Sequence, residues 1–247
     1  MDLSTPELAG ATAFYAQLLG WKFTEPNPDF GGYSNASKDG ELVAGLMPLM
    51  TEGQPSAWTL YLGTDDADRT AKQITHSGGQ LISEPMDVAD LGRMIIAADP
   101  AGAVFGVWQP GTHTGFGPTE EPGGTGWFEL WSRDHDRANA FYAALFGYQV
   151  EQLGDGESFD YTVLKNDAGM VGGTTALPSD APATAPSYWL SYFIVADADA
   201  AVQTATSSGG SVVTDPQDSP YGRMAVLQDP YGAQFAVITM MEQPADA

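Results

Sequence analysis

Three histidines, no cysteine and thirty-two carboxylates bound the chemistry open to this chain. Without cysteine there is no disulfide, no thiolate metal site and no thiol nucleophile. His76, His113 and His135 stand far apart, with no ligand-like spacing between any two, so they read as solvated or capping residues. Asp65-Asp66-x-Asp68 gathers three carboxylates, but at the point where a helix begins, which is the end that favours negative charge. Gly154-Asp155-Gly156-Glu157 is too short for a calcium loop and reads as a hairpin turn. No Gly-x-Ser-x-Gly elbow offers a serine nucleophile. Arg93 and Arg223, two of five arginines, are either a clamp for a ligand carboxylate or members of buried pairs with acidic neighbours, the second being favoured. The most chemically pointed stretch is Trp127-Phe128-Glu129-Leu130-Trp131. In a strand, alternate residues share a face, which sets Glu129 between two indoles.

The elements that must position these residues occur twice. Ala13-Phe14-Tyr15-Ala16-Gln17-Leu18-Leu19-Gly20-Trp21 returns as Ala140-Phe141-Tyr142-Ala143-Ala144-Leu145-Phe146-Gly147-Tyr148. Residues 91–108 align with 221–238 with 9 identities, including Gly-Arg-Met and Asp-Pro-x-Gly-Ala. Trp58 matches Trp189. Such a repeat predicts two homologous modules, 1–112 and 126–247, joined by a Gly/Pro/Thr-rich linker over 113–125. Each module reads as strand, helix and strands, twice over. Thr5 and Ser132 are the expected helix N-caps, with Pro6 at a first helical position and Gly20 and Gly147 as stops. Strands are expected at 21–24, 33–37, 42–47, 58–62, 80–83, 93–97 and 104–108, and again at 188–195, 211–214, 223–227 and 234–238. Helices are expected from Ala67 to Gly78-Gly79 and over Ala198–Ser208, and Asp-Pro-x-Gly should turn the last hairpin of each module.

Composition excludes several partners. Nine basic residues against 32 acidic ones give a net charge of −23, which repels nucleic acid and anionic lipid. No apolar run approaches the roughly 20 residues of a membrane span, and Met1-Asp2-Leu3-Ser4-Thr5-Pro6-Glu7 does not read as a secretory leader. The expectation is a cytoplasmic protein that meets small molecules, either as a monomer with modules paired within the chain or as a homodimer.

The twice-repeated Phe-Tyr-x-x-Leu-Leu/Phe-Gly-Trp/Tyr helix, the mid-module strand running into a helix and the final Asp-Pro-x-Gly hairpin resemble the vicinal oxygen chelate superfamily of glyoxalases, bleomycin-resistance proteins and extradiol dioxygenases. The closest likeness is to two-module bacterial members labelled hydroxylase-like or glyoxalase-like. The resemblance covers nearly the whole chain and implies an α+β fold of two tandem modules. Each module is two βαβββ units whose mixed sheet curls into a ligand-holding cup covered by helices. Metal-dependent members place ligands on the first strand, the mid-module strand and the last strand. Those positions fall on Trp127 in the second module, on about Thr59 and Leu190, and on Gly106 and Ala236. None offers a good donor, so no metal and no cofactor is expected.

The same placement implies what the cups offer instead. Trp127, Glu129 and Trp131 face one cup, with Phe128 and Leu130 turned to the helices. Asp2 and Ser4 hold the matching positions in the first module. Tyr61 and Tyr192 point inward, as do Trp108 and its counterpart Ile238, while small residues at Gly106 and Ala236 leave room for a ligand. Ordinary core packing is the competing reading for each aromatic. The function expected is metal-independent binding of a hydrophobic, aromatic natural product or antibiotic, for sequestration, delivery or resistance. One alternative is a metal-free tailoring enzyme (isomerase, cyclase or hydrolase), with Glu129 moving a proton and Tyr192 steadying an oxyanion. A metal-dependent glyoxalase-like or dioxygenase-like enzyme is the other alternative, disfavoured by the missing ligands.

Overall fold

The computed structural model describes residues 1–116, 121–154 and 160–241. The turn expected at Gly154-Asp155-Gly156-Glu157 therefore lies, beyond Gly154, outside the described residues, as does part of the expected linker. Four segments follow one another along the chain. The first holds β1 (Asp2–Thr5), α1 (Leu8–Leu19), β2 (Lys22–Phe23), β3 (Ser34–Lys38) and β4 (Glu41–Pro48). The second holds β5 (Ala57–Thr59), β6 (Tyr61–Gly63), α2 (Ala67–His76), β7 (Gln80–Leu81), β8 (Met86–Val88), β9 (Gly92–Ala98) and β10 (Val104–Pro110). The third holds β11 (Thr125–Ser132), α3 (His135–Phe146), β12 (Gln149–Leu153), β13 (Tyr161–Asn166) and β14 (Gly169–Ala176). The fourth holds β15 (Tyr188–Ile194), α4 (Ala198–Ser207), β16 (Ser211–Ser219), β17 (Gly222–Gln228) and β18 (Gln234–Met240).

These segments form two compact units that do not coincide with the sequence modules. Unit 1 takes the described residues of Met1–Trp58, Phe116–Gly126 and Ser191–Ala247; unit 2 takes those of Thr59–Gly115 and Trp127–Leu190. The first segment thus packs with the fourth, and the second with the third. In unit 1, β2-β3-β4-β1 are neighbours in one sheet, with β1 and β4 parallel, while β18 lies between β15 and β17. In unit 2 the arms run β6-β10-β9-β7 and β12-β13-β14-β11, the pairs β6/β10 and β11/β14 being parallel.

The repeated residues explain this pairing. In unit 1, Trp58 Nε1 donates to the Tyr15 hydroxyl at 2.9 Å, and that hydroxyl donates to Asp229 Oδ2 at 3.1 Å. In unit 2, Trp189 Nε1 donates to Tyr142 at 2.9 Å, and Tyr142 reaches Asp99 Oδ2 at 3.3 Å. The other carboxylate oxygen of each aspartate closes its own turn, accepting from the backbone of Ala101 and Ala103 or of Tyr231 and Ala233. The Asp-Pro-x-Gly stretch is therefore a turn and a docking point at once. Rings pack around each relay: Phe14, Trp21, Phe193 and Phe235 with Tyr15, and Phe105 and Phe141 with Tyr142. Burial pushes both tyrosines well above the usual value near 10, and the adjacent aspartate charge adds to it.

Three local expectations are corrected. Helices α1 and α3 are capped by Glu7 and Asp134, which accept from Gly10 and Arg137 backbone N–H groups. Thr5 and Ser132 act just before the helix, receiving the N–H of Glu7 and Asp134, and Pro6 stays outside it. The 58–62 strand is two strands, because Trp58 serves the core of unit 1 and Leu60 that of unit 2, so the chain changes partners between them. Strand β8 had no forecast. Gly20 and Gly147 do end their helices in the left-handed conformation, at φ 70° and 71°.

Candidate functional site

Phe128 and Leu130 of β11 pack on the core of unit 2, with Leu130 fully buried in the cluster that holds Phe141, Tyr142 and Leu164. Alternation then turns Trp127, Glu129 and Trp131 to the opposite face. Glu129 is 7% exposed there, and the two indoles are half-buried. Across the parallel ladder Glu129 pairs with Gly173 and Trp131 with Thr175. A Cβ on Gly173 would stand 1.9 Å from the Tyr161 hydroxyl, so only glycine lets the phenol lie over β14. Trp127 Nε1 donates to that hydroxyl at 2.8 Å. Tyr188 completes the group: its phenol is held above the usual value by burial first and by the Glu129 charge second.

The other arm of unit 2 presents Tyr61 and Trp108 on the face away from Leu62, Phe105 and Val107, which are core. Gly106 does not leave room for a ligand. A Cβ there would meet the Tyr61 ring at 2.4 Å, so the space belongs to that ring. Trp108 Nε1 donates to the His113 carbonyl at 3.0 Å, and the His113 ring stands edge-on at 5.8 Å. His113 is thus a packing partner of Trp108, not a solvated linker residue. Leu190, also in unit 2, is fully buried.

Tyr192, Ala236 and Ile238 belong to unit 1, where all three are buried. Tyr192 pairs with Ala236 and Ile194 with Ile238 across a parallel ladder. Glu129 and Tyr192, expected to act together, are therefore assigned to different units. Unit 1 repeats the phenol-over-glycine device: Tyr33 donates to Asp2 Oδ1 at 2.8 Å, and a Cβ on Gly45 would fall 1.7 Å from the Tyr33 hydroxyl. Sequence reasoning missed Tyr161, Gly173 and Tyr188. The Tyr33/Tyr161 and Gly45/Gly173 pairs stand at one constant offset of the repeat, which was signal enough to find the first two.

The polar groups outside this face have structural work. Arg93 binds Asp87 at 2.7 Å and Asp68 at 3.0 Å; Arg223 binds Asp199 at 2.5 Å and Asp218 at 3.0 Å. Each arginine ties the first turn of a helix to a neighbouring strand, on the surface and not in a buried pair. Asp66 caps α2 by accepting from Arg69 N at 2.9 Å, so two carboxylates of the acidic cluster, Asp66 and the Arg93-bound Asp68, have structural roles. His135 stands 3.3 Å from Asp160. No helix among the described residues is long and apolar enough to cross a membrane.

The family profile described as Glyoxalase/Bleomycin resistance protein/Dioxygenase superfamily matches residues 1–107 and 124–237. The chain belongs to this superfamily. The anthracycline biosynthesis protein DauV of Streptomyces sp. (strain C5) is 39% identical to it, over 98% of this chain and 92% of that one. The putative glyoxylase CFP32 of Mycobacterium bovis is 38% identical, over 96% and 92%. Among solved structures, the 2,3-dioxygenase LapB from Pseudomonas sp. KL28 superposes with a TM-score of 0.65 at 12% identity, over 99% of this chain and 92% of that one. The Mn(II)-bound glyoxalase from Novosphingobium aromaticivorans gives 0.63 at 17%, over 98% and 81%. At those identities the two structures share the fold alone.

The glyoxalase among those structures is Mn(II)-bound, and the resemblance implies which positions of this chain would hold such an ion. In unit 2 they include Trp127, whose N–H is a donor spent on Tyr161, Thr59 with a lone hydroxyl, and Gly106, which lies under the Tyr61 ring. Leu190 of unit 2 and Ala236 of unit 1 supply only hydrocarbon, and both are fully buried. Among the described residues no three His, Asp or Glu side chains converge. The donor chemistry does not fit a superfamily-type metal.

Proposed function

We propose that unit 2 binds a planar, hydrophobic, aromatic small molecule on the face formed by Trp127, Glu129 and Trp131, without a metal. The observation that carries this reading is the buried Glu129 carboxylate flanked on its own strand face by two half-buried indoles. Indoles stack on flat rings, and a carboxylate accepts a hydrogen bond from a ligand hydroxyl or amine. The net charge of −23 favours neutral or cationic ligands over anionic ones. A relative named for anthracycline biosynthesis supports a natural-product ligand with fused rings. Titration with an anthracycline, followed by tryptophan emission and by calorimetry, tests the proposal. Quenching with a measurable heat is the expected result; unchanged emission and no heat overturn it.

A second reading, a metal-free tailoring enzyme, is favoured by the burial of Glu129 beside Tyr188, where a carboxylate could pass a proton to or from a bound ring substituent. Glu129→Gln should then abolish turnover while sparing binding. Equal turnover in the variant rejects the acid/base role.

A further inference from the structure

The chain has six tryptophans, and five of their indole N–H groups have a protein acceptor. Trp21 donates to the Gly123 carbonyl at 2.7 Å, Trp58 to Tyr15 and Trp189 to Tyr142 at 2.9 Å each. Trp108 donates to the His113 carbonyl at 3.0 Å and Trp127 to Tyr161 at 2.8 Å. Trp131 is the exception: its Nε1 is buried and has no partner among the described residues. The cross-strand neighbour Thr175 does not serve it: its hydroxyl is turned to the Asp160 carbonyl, to which it donates at 3.0 Å, and it accepts nothing from the indole.

A donor kept from water and left without an acceptor is costly, and proteins satisfy nearly all such groups. This chain does so for every other indole, Trp108 and Trp127 of unit 2 included. The one it leaves open shares its strand face with Glu129. We infer that the acceptor for Trp131 is an oxygen of the ligand itself, and that the ligand of unit 2 is an aromatic ketone or quinone whose ring carbonyl accepts from the Trp131 indole. The inference rests on the proposed binding function of unit 2 and narrows its ligand class. A hydrocarbon of the same shape leaves the indole unmet, whereas a carbonyl supplies two lone pairs in the ring plane. Discrimination by a site built to hydrogen-bond one ligand atom is larger than discrimination by shape, because the analogue strands a buried donor.

The experiment compares two probes that share ring size and a cationic arm: 2-(aminomethyl)anthraquinone and 2-(aminomethyl)anthracene. Calorimetry on the wild-type chain should show the quinone bound about tenfold or more tighter, as one well-formed hydrogen bond would give. Trp131→Phe keeps an aromatic ring and removes the donor, so the quinone's advantage should fall to about twofold or less. The second measurement needs no variant. In a ¹⁵N–¹H spectrum of the wild-type chain, the indole signal assigned to Trp131 should move downfield with the quinone and not with the anthracene. Equal affinity for the two probes, an advantage that survives Trp131→Phe, or an unmoved Trp131 signal in the bound state each overturn the carbonyl inference alone. Binding of neither probe overturns it together with the proposed function on which it rests.

Discussion

Removing one hydroxyl should show how much the buried relays contribute. In Tyr142→Phe the ring and its packing against Phe105, Phe141 and Trp189 remain, so there is no cavity to count. What goes is the acceptor for Trp189 Nε1 at 2.9 Å and the donor to Asp99 Oδ2 at 3.3 Å. Asp99 keeps its two backbone donors on Oδ1, at 2.8 and 3.0 Å, so its loss is partial. The stranded indole N–H carries most of the cost, about 1–3 kcal/mol for a buried donor. For a chain of this size that corresponds to a melting temperature lower by roughly 2–6 °C. Tyr15→Phe provides an internal control, since it strands Trp58 and deprives Asp229 in the same manner. The two variants should lose similar amounts, and their losses should add, because the relays share no residue. Differential scanning calorimetry on the two single variants and the double variant measures this. If both single variants melt within about 1 °C of wild type, the relays are not what couples each helix to its hairpin, and the pairing of the segments must have another cause.

Three further outcomes follow from the same geometry. Asp99 and Asp229 are held above the ordinary carboxylate value of 3.8, by burial first, with backbone and tyrosine hydrogen bonds opposing it. A raised folded value contributes stability that is complete below the unfolded value and lost as pH rises through the folded one. Melting followed from about pH 4 upward, the unfolded carboxylate value, should therefore show a component of falling stability that Asp229→Asn diminishes; identical profiles refute it. On the alkaline side Tyr15 and Tyr142 ionise far less readily than a free phenol, and Tyr148 is pushed up to about 12. Absorbance at about 295 nm should leave these tyrosines silent until the chain unfolds, and a titration complete in the folded state would contradict this. Gly173→Ala should evict the Tyr161 phenol and break its bond with Trp127, costing about 1–3 kcal/mol as an overpacked site. Coupling it with Tyr161→Ala should make the second change cheaper than it is alone, and simple additivity would rule out the clash.

Much of the fold was legible in the residues, and the part that was not has identifiable causes. The repeat located the helices, the hairpins and the strand carrying Glu129, because Phe-Tyr, Gly stops and Asp-Pro-x-Gly are local signals with local meanings. It also showed Trp58 and Trp189 as equivalent, but not that each would donate to the tyrosine of its own module's first helix while that tyrosine reached the aspartate of the other module. Which segment packs on which is a long-range choice, and one chain's local pattern does not encode it. The helix caps stand two residues beyond the expected ones because Thr5 and Ser132 sit in a preceding turn that competes for the same role. Gly106 misled for a different reason. Small side chains make space, but the pattern does not say whether a neighbouring ring or a ligand fills it, and here Tyr61 does.

The repeat also separates what holds the fold from what reads a ligand. Tyr15/Tyr142, Trp58/Trp189, Asp99/Asp229, Tyr33/Tyr161 and Gly45/Gly173 are the same in both copies, and every one of them has a defined packing or hydrogen-bonding role. Several positions of the candidate site differ between the copies: Trp131 matches Ser4, Glu129 matches Asp2, and Trp108 matches Ile238, while Tyr61 and Tyr192 are alike. A scaffold duplicated with its supports intact and its ligand face changed should bind asymmetrically. Aromatic area on this face is concentrated in unit 2, because unit 1 has Ser4 where unit 2 has Trp131. One anthracycline should therefore bind per chain. Trp131→Ser, which gives unit 2 the unit 1 residue, should weaken it by about tenfold or more, the worth of a lost stacking partner and donor. Asp2→Asn should leave the affinity unchanged, since Asp2 belongs to unit 1, apart from the assigned face. Two equivalent sites by calorimetry, or a loss on Asp2→Asn equal to that on Trp131→Ser, would place the ligand outside the face assigned to it and return the indoles of β11 to the core.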